Sequence, residues 1–392
     1  MVVFFVQLHF TTRVRYGFLS VQLNYTIRHI FIIRIEVKMK VLIFDSTVLE
    51  QAPYLKYYER ELIAKDVAYN VCTWDKYNDA PTTKDGVAIT IHSKWHLGKR
   101  KYLDFILLSY KLKKIIEEGH YTHLVIVNTI LAMLLRNLLL KYFKNRYVID
   151  IRDYKCETLP GYQFFLKEII DNSFFTTISS DGFRKFLPQS SKIIPNHNIT
   201  NLKSAFKLPS LSKNKEHINI GFIGYIRYKR ENKILIRKLG GNNRFSLFYR
   251  GIYAESCRID REQDLKYDNV TYGGPFKNAD KPELYNCIDM IHSIYGNEDL
   301  ATSTLLPNRL YDAVIFKKPL LASTHTYLAQ VVEKYNLGVN INLKDPNFML
   351  IINDYVNNFN EQRFLVGCNE FLGHVNYQQK LFLDKIKEFI FK

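Results

Sequence analysis

From residue 41 onward, short runs rich in β-branched and aromatic residues alternate with longer stretches of helical period, and the alternation starts twice. In the first half the strand candidates are Val41–Asp45, Val67–Trp74, Val87–Ile91, His123–Asn128, Tyr147–Ile151 and Phe174–Ile178. Helix candidates fall between them at Tyr54–Lys65, Tyr102–Glu118, Thr129–Lys144 and Tyr162–Ile170. Strands joined through helices cannot pair as hairpins. They pair in parallel, and the pattern predicts an α/β domain with a doubly wound sheet. After a polar stretch ending in Leu208-Pro209-Ser210-Leu211-Ser212-Lys213-Asn214-Lys215, the pattern restarts. The second set of strands is His217–Ile223, Phe245–Tyr249, Val270–Tyr272, Met290–Tyr295, Pro319–Ala322 and Gly338–Asn342, with helices including Leu306–Phe316 and Tyr327–Tyr335.

A chain of 392 residues suits two such domains. We place the first at 39–200 and the second at 201–377, with an amphipathic helix at 378–392 that carries Leu381, Phe382, Ile386, Phe389 and Ile390 on its apolar positions. Residues 1–38 do not continue the pattern. Their apolar runs are broken by Gln7, Arg13, Arg15, Arg28 and Arg34, and none approaches the ~20 apolar residues of a membrane-spanning helix. Met39-Lys40-Val41-Leu42-Ile43-Phe44-Asp45 reads as a natural first strand. We therefore take Met39 as the initiator and 1–38 as a non-native extension, the other reading being an amphipathic membrane arm.

The five cysteines are widely spaced and odd in number, which predicts reduced, buried thiols in a cytoplasmic protein rather than a disulfide or zinc framework. The net charge of +17 points to an anionic partner. Because the 55 Lys and Arg residues are dispersed, a membrane surface or a phosphorylated small molecule fits better than nucleic acid.

Ligands of open parallel sheets bind beyond the carboxyl ends of the strands, where helix N-termini attract phosphate. Two loops there stand out. Gly224 ends a strand and is followed by Arg227, Lys229 and Arg230 before a helix, a cluster able to neutralise a diphosphate. Pro307-Asn308-Arg309 opens another helix, with Pro307 expected in its first turn, and Asp312 follows one turn after Asn308 on the same face. A carboxylate there can accept hydrogen bonds from both hydroxyls of a ribose.

The segment PNRLYDAVIFKKPLLAS resembles the donor-site motif of retaining glycosyltransferases with the GT-B fold, of the family 4-like (group 1) kind and of the surface or capsular polysaccharide type. Ser179-Ser180-Asp181-Gly182 through Pro195-Asn196, Asn269-Val270-Thr271-Tyr272-Gly273-Gly274 and Glu283-Leu284-Tyr285-Asn286-Cys287-Ile288-Asp289 continue the resemblance in order over about residues 39–392. It implies two Rossmann-like domains facing a central cleft, an acceptor domain followed by a donor domain, and a C-terminal helix packing back on the first domain. It also implies a nucleotide-sugar donor, a lipid-linked or oligosaccharide acceptor, no metal and no cofactor. The expected setting is the cytoplasm, peripheral to the inner face of the cell membrane. Two positions depart from the family pattern. Thr304 stands where many members have an acid facing the donor sugar, and Ser46–Pro53 replaces a Gly-Gly loop.

Within this frame Arg227 and Lys229 are expected to stabilise the leaving diphosphate, and Asp153, at a strand end in the first domain, to orient or deprotonate the acceptor hydroxyl. Gly224, Arg230, Pro307, Asn308, Arg309 and Asp312 are expected to hold the donor. Basic loop residues Lys94–Lys101 with Trp95, and the leucines of the 102–118 and 129–144 helices, are expected to lie on an anionic membrane. The alternatives are a non-catalytic nucleotide-sugar-binding subunit and a sugar-nucleotide epimerase of the same fold.

Overall fold

The computed structural model describes residues 38–47, 52–76, 87–94, 101–154, 156–198, 211–253 and 266–391. Residues 1–37 of the segment 1–38, most of the basic loop at 95–100 and much of the linker at 199–210 lie outside the described residues.

The first sheet consists of β1 (Lys40–Asp45), β2 (Ala68–Asp75), β3 (Ala88–His92), β4 (His123–Val127), β5 (Tyr147–Ile151), β6 (Phe175–Ile178) and β7 (Ile193–Pro195), all parallel, in the order β3-β2-β1-β4-β5-β6-β7. The central strands β4 and β5 are buried at every residue, as parallel strands covered on both faces must be. One face is covered by α1 (Lys56–Ala64), the other by α2 (Lys101–Glu118), α3 (Thr129–Leu134), α4 (Arg136–Tyr142) and α5 (Tyr162–Asp171).

The second sheet has β8 (Ile218–Ile223), β9 (Phe245–Arg250), β10 (Val270–Tyr272), β11 (Met290–Ser293), β12 (Leu320–Ser323) and β13 (Gly338–Ile341), again parallel, in the order β10-β9-β8-β11-β12-β13. Its helices are α6 (Lys229–Leu239), α7 (Lys281–Asn286), α8 (Leu300–Thr304), α9 (Asn308–Phe316), α10 (Tyr327–Lys334) and α11 (Phe348–Asn357). In each sheet the chain winds outward from one central strand and then returns to its other side. The crevice that this reversal opens lies between β1 and β4 in the first domain and between β8 and β11 in the second.

The last helix, α12 (Glu361–Phe391), is longer than the expected 378–392 segment. Its first half places Phe364, Cys368, Phe371 and Val375 in the core of the second domain, and its second half places Phe382, Ile386, Phe389 and Ile390 in the core of the first. The helical period runs unbroken through Gln378; what changes there is the domain beneath it. The 129–144 helix is interrupted at Leu135, giving α3 and α4. Cys72, Cys156, Cys287 and Cys368 form no disulfide with one another. Of these four, Cys72 and Cys368 are buried as expected, while Cys287 is exposed and Cys156 half-buried.

Most of the leucines expected on a membrane are in the core, while Leu107, Leu134 and Leu140 are half-buried and Leu103 is exposed. Leu108 and Leu112 of α2, and Leu135, Leu138 and Leu139 around α4, pack on the sheet. No described helix is long and apolar enough to cross a membrane.

The domains meet beneath the cleft. Ser180 Oγ donates to the carbonyl of Thr304 at 2.6 Å. His197 lies 2.8 Å from the Tyr311 hydroxyl on α9 and also contacts Gln378 Oε1 of α12, while Gln378 Nε2 donates to Asp181 at 3.2 Å.

Candidate functional site

The crevice of the second sheet is shaped by two glycines. Gly224, just past β8, has φ +142°, and its N–H donates to the Arg250 carbonyl at 2.9 Å. Gly251, just past β9, has φ +143°, and a Cβ on it would lie 1.7 Å from the Gly224 carbonyl oxygen. No side chain fits, so the two strand ends close tightly and leave the space in front of Gly224 to groups arriving from α9.

The group that arrives is Arg309, in the first turn of α9. Its Nη1 lies 3.3 Å from where a Gly224 Cβ would be, and its guanidinium sits 3.6 Å from the Phe222 ring centroid and 5.0 Å from that of Tyr295. Arg309 is only 7% exposed. Burial pushes its pKa down to about 10, opposed by Tyr285, Asp312 and Tyr228, so it remains a cation at neutral pH. Its Nε has no hydrogen-bond partner among the described residues. A buried cation short of a hydrogen-bond acceptor costs free energy that the aromatic faces offset only in part. An anion in front of Gly224 would supply that acceptor.

One turn further along α9, Asp312 is buried and already engaged. Lys281 Nζ reaches its two oxygens at 3.0 and 2.9 Å, and the Tyr285 hydroxyl donates to it at 2.8 Å. Burial and the Asp312 charge drive the Tyr285 pKa well up. Lys281 and Tyr285 come from α7 and were missed by the sequence reading. Their spacing of four put them on one helix face, but nothing in the sequence set that face against α9.

The other expected donor residues are spread around this centre. Arg227 and Lys229 are exposed, Arg227 with its guanidinium 5.0 Å from the Tyr225 ring. Lys229 is the first residue of α6, entered through Tyr228 at φ 64°. Arg230 is turned away into an exposed ion pair with Glu298, which also pairs with Lys344 at 3.1 Å; a partner from a distant loop has claimed it. Pro307 is not inside the helix as expected. It is the extended N-cap residue, and exposed Asn308 is the first helical position.

Thr304 does not face the cleft as the acid of the family pattern would. It is buried under the first domain, its hydroxyl donating to the Leu300 carbonyl at 2.6 Å. The nearby acid Asp299 is used otherwise: it caps α8 by accepting from the Thr302 N–H at 2.6 Å.

Asp153 projects from the loop after β5 and is exposed. Its charge reaches the Tyr228 hydroxyl of the second domain. Burial is the main cause that raises the Tyr228 pKa; Arg227 and Arg309 lower it, and Asp299 and Asp153 raise it further. The first-domain acid and two cations of the second domain, Arg227 and Arg309, thus act on the same hydroxyl. Behind it is a buried network at the first crevice. Asp150 accepts from Arg152 Nη2 at 2.7 Å and from the Tyr58 hydroxyl at 3.0 Å, and the Arg152 guanidinium lies 4.1 Å from the Tyr54 ring centroid. Tyr54 donates to Asp45 at 2.6 Å. Burial raises the Asp45 pKa against the hydrogen bonds from Tyr54 and Thr47. Among the described residues, no three or more His, Cys, Asp or Glu side chains gather as a metal site.

No protein-family model matches the sequence, and no curated protein matches it. Solved structures do. Sucrose-phosphate synthase from Thermosynechococcus elongatus superimposes with a TM-score of 0.63 at 11% identity, over 87% of this chain and 95% of that one. An E. coli trehalose-6-phosphate structure bound with UDP-2-fluoro glucose gives 0.62 at 11%, over 89% and 99%. Anabaena HepE in complex with UDP and glucose gives 0.57 at 12%, over 89% and 97%. At such identities the likeness is one of fold, and with two parallel α/β sheets joined through α12 the chain has the GT-B fold of these glycosyltransferase structures.

Proposed function

We propose that this protein is a glycosyltransferase that moves a hexosyl group from a nucleotide-sugar to a lipid-linked or glycan acceptor in bacterial surface polysaccharide synthesis. On this reading it works at the inner face of the cell membrane as a peripheral protein. Transfer proceeds with retention of configuration, and side-chain cations rather than a metal stabilise the leaving group. The observation that carries the reading is Arg309, a buried guanidinium with an unpartnered Nε, held against Gly224 at the crevice of the second sheet. Solved neighbours with UDP or a UDP-sugar bound support a nucleotide-sugar as the anion, and a trehalose-6-phosphate synthase neighbour is described in terms of glycosyltransfer with retention.

In the reaction the bond between the sugar C1 and the β-phosphate oxygen breaks, and its electron pair stays on the diphosphate. The acceptor hydroxyl oxygen forms the new bond to C1 and gives up its proton to the Asp153 carboxylate. Arg309 and Arg227 face the charge that grows on the diphosphate, and cations fixed there before the reaction lower the barrier. Lys229 adds a cation at the start of α6, and the N-terminus of α9 adds its dipole. Asp153, from the facing domain, accepts the hydrogen bond of the acceptor hydroxyl. Asp312, oriented by Lys281 and Tyr285, takes one ribose hydroxyl with its one remaining acceptor position.

Thr304 favours a second reading, a subunit that binds nucleotide-sugar without turning it over, since the position of the sugar-facing acid is used up in the domain contact. A thermal-shift screen of UDP-, GDP- and CMP-sugars, followed by product analysis with and without acceptor, tests both. Stabilisation by one nucleotide class is expected. No shift with any donor overturns both readings, while a shift without turnover leaves the second.

A further inference from the structure

Among the described residues, those other than glycine with positive φ are Asp, Asn or His, which tolerate it, except Lys317 and Tyr228. Lys317 ends α9, where a left-handed residue is common. Tyr228 stands where α6 begins, with φ 64° and ψ 61°. An extended Ser, Thr, Asp or Asn is usual there, and the Tyr228 side chain makes no capping hydrogen bond. A bulky aromatic keeps this conformation only where its surroundings impose it.

A buried pair behind the loop imposes it. Asn232, one turn into α6, donates from Nδ2 to the carbonyls of Arg227 at 2.6 Å and Tyr228 at 3.0 Å. Its Oδ1 lies 2.9 Å from Nε2 of His292 on β11, whose Nδ1 accepts from the Ile294 N–H at 3.2 Å. Nε2 therefore carries the hydrogen and donates it to Asn232. Both side chains are buried, and together they fix the backbone of Arg227 and Tyr228. The Tyr228 ring is held as well. Its centroid lies 4.5 Å from that of Tyr295, the ring that flanks the Arg309 guanidinium.

These contacts leave the hydroxyl unused. Tyr228 is half-buried, and among the described residues its hydroxyl has no hydrogen-bond partner. Burial raises its pKa, so it stays protonated and offers an O–H. Arg227 and Arg309, the cations assigned to the leaving diphosphate, both act on it.

We propose that Tyr228 is a further catalytic residue, its O–H donating a hydrogen bond to the phosphate oxygen that departs from the sugar C1. The proton stays on Tyr228 throughout. As the C1–oxygen bond breaks, its electron pair collects on that oxygen, so a donor fixed beforehand binds it more strongly in the transition state than in the bound donor. The strain at φ 64° is then the cost of aiming a side chain that the ordinary entry to a helix would turn elsewhere. This assignment rests on the glycosyl transfer proposed above.

Tyr228→Phe in the full chain tests it, because the ring, the backbone and the Tyr295 contact are kept and only the hydroxyl is lost. The probe is whichever UDP-, GDP- or CMP-sugar shifts the wild-type melting temperature most. Turnover is read as transfer to a glycan or lipid-linked acceptor and, without acceptor, as slow hydrolysis. The variant should keep the wild-type melting temperature and donor-induced shift, with KM for the donor little changed and kcat for both reactions lowered by about a hundredfold. A wild type that no sugar nucleotide stabilises overturns the proposed function and this role with it. A wild type that is stabilised but turns no donor over overturns the role alone. So does a variant with wild-type kcat, or one whose loss is confined to KM. A variant that hydrolyses normally but no longer transfers places the hydroxyl on the acceptor, and one that melts lower with unchanged kcat makes it part of the fold; both overturn the assignment.

Discussion

The imidazole of His197, at the end of the first domain, shares a hydrogen bond of 2.8 Å with the Tyr311 hydroxyl on α9 of the second. The proton positions follow from the neighbours. Gln378 donates its amide N–H to Asp181, so its carbonyl oxygen faces His197. His197 Nε2 must then carry the hydrogen, leaving Nδ1 to accept from Tyr311. Burial, the largest cause, holds the His197 pKa below its usual value. Two other histidines are shifted the same way. His123 is lowered to about 4 by burial and then by the Arg146 charge, and His292 to about 3 by burial and then by the Arg309 charge.

A histidine whose pKa is lower in the folded than in the unfolded chain contributes stability that is complete above about pH 6.5. That stability is lost as pH falls through the unfolded value toward the folded one. Urea midpoints should therefore drop between about pH 7.5 and about pH 5, and His197→Gln should show a smaller drop than the wild type. Equal drops in both proteins would remove His197 from the account.

Arg309→Met should separate stability from function. Replacing a buried, incompletely bonded cation by an apolar side chain of similar length is often neutral or stabilising. The variant without ligand should melt at or above the wild-type temperature, yet lose the thermal shift that a nucleotide-sugar produces. A variant that melts lower and keeps the shift would make Arg309 a structural residue.

Asp312→Ala should weaken donor binding by about 1.5–3 kcal/mol, the scale of hydrogen bonds to a charged group. It also leaves Lys281 without its acidic partner. Lys281→Met with Asp312 intact is the control. Calorimetry on both variants should find the larger affinity loss in Asp312→Ala, and unchanged affinity in a folded Asp312→Ala protein would exclude contact with the ribose.

Arg227→Ala should lower turnover more than donor affinity, because the charge on the diphosphate is greater in the transition state than in the bound donor. Steady-state kinetics with a saturating acceptor should give a reduced kcat with little change in KM for the donor. A change confined to KM would reduce Arg227 to a binding residue.

Both sheets were legible in the sequence because parallel strands buried on two faces leave apolar runs, such as Leu124–Val127 and Tyr147–Ile149. β7 escaped because its three residues are too few for a periodic signal. The leucines around α4 misled for a physical reason: an apolar stripe edged by lysines looks the same whether it faces a sheet or a lipid. Gly224, Arg309 and Asp312 could be picked out from their places at a strand end and a helix start. The α7 side chains that engage Asp312, and the burial that sets Arg309 apart from Arg227 and Arg230, depend on contacts between distant segments.

The path of α12 has a consequence for how the protein is made. The core of the first domain includes Phe382, Ile386, Phe389 and Ile390, which leave the ribosome only after the whole second domain. That domain is translated before the second but must wait, with part of one face of its sheet uncovered, until α12 has emerged and returns to it. Contacts this distant in sequence form late in folding. A chain cut within the second half of α12 would therefore damage the domain that precedes the second one in the sequence.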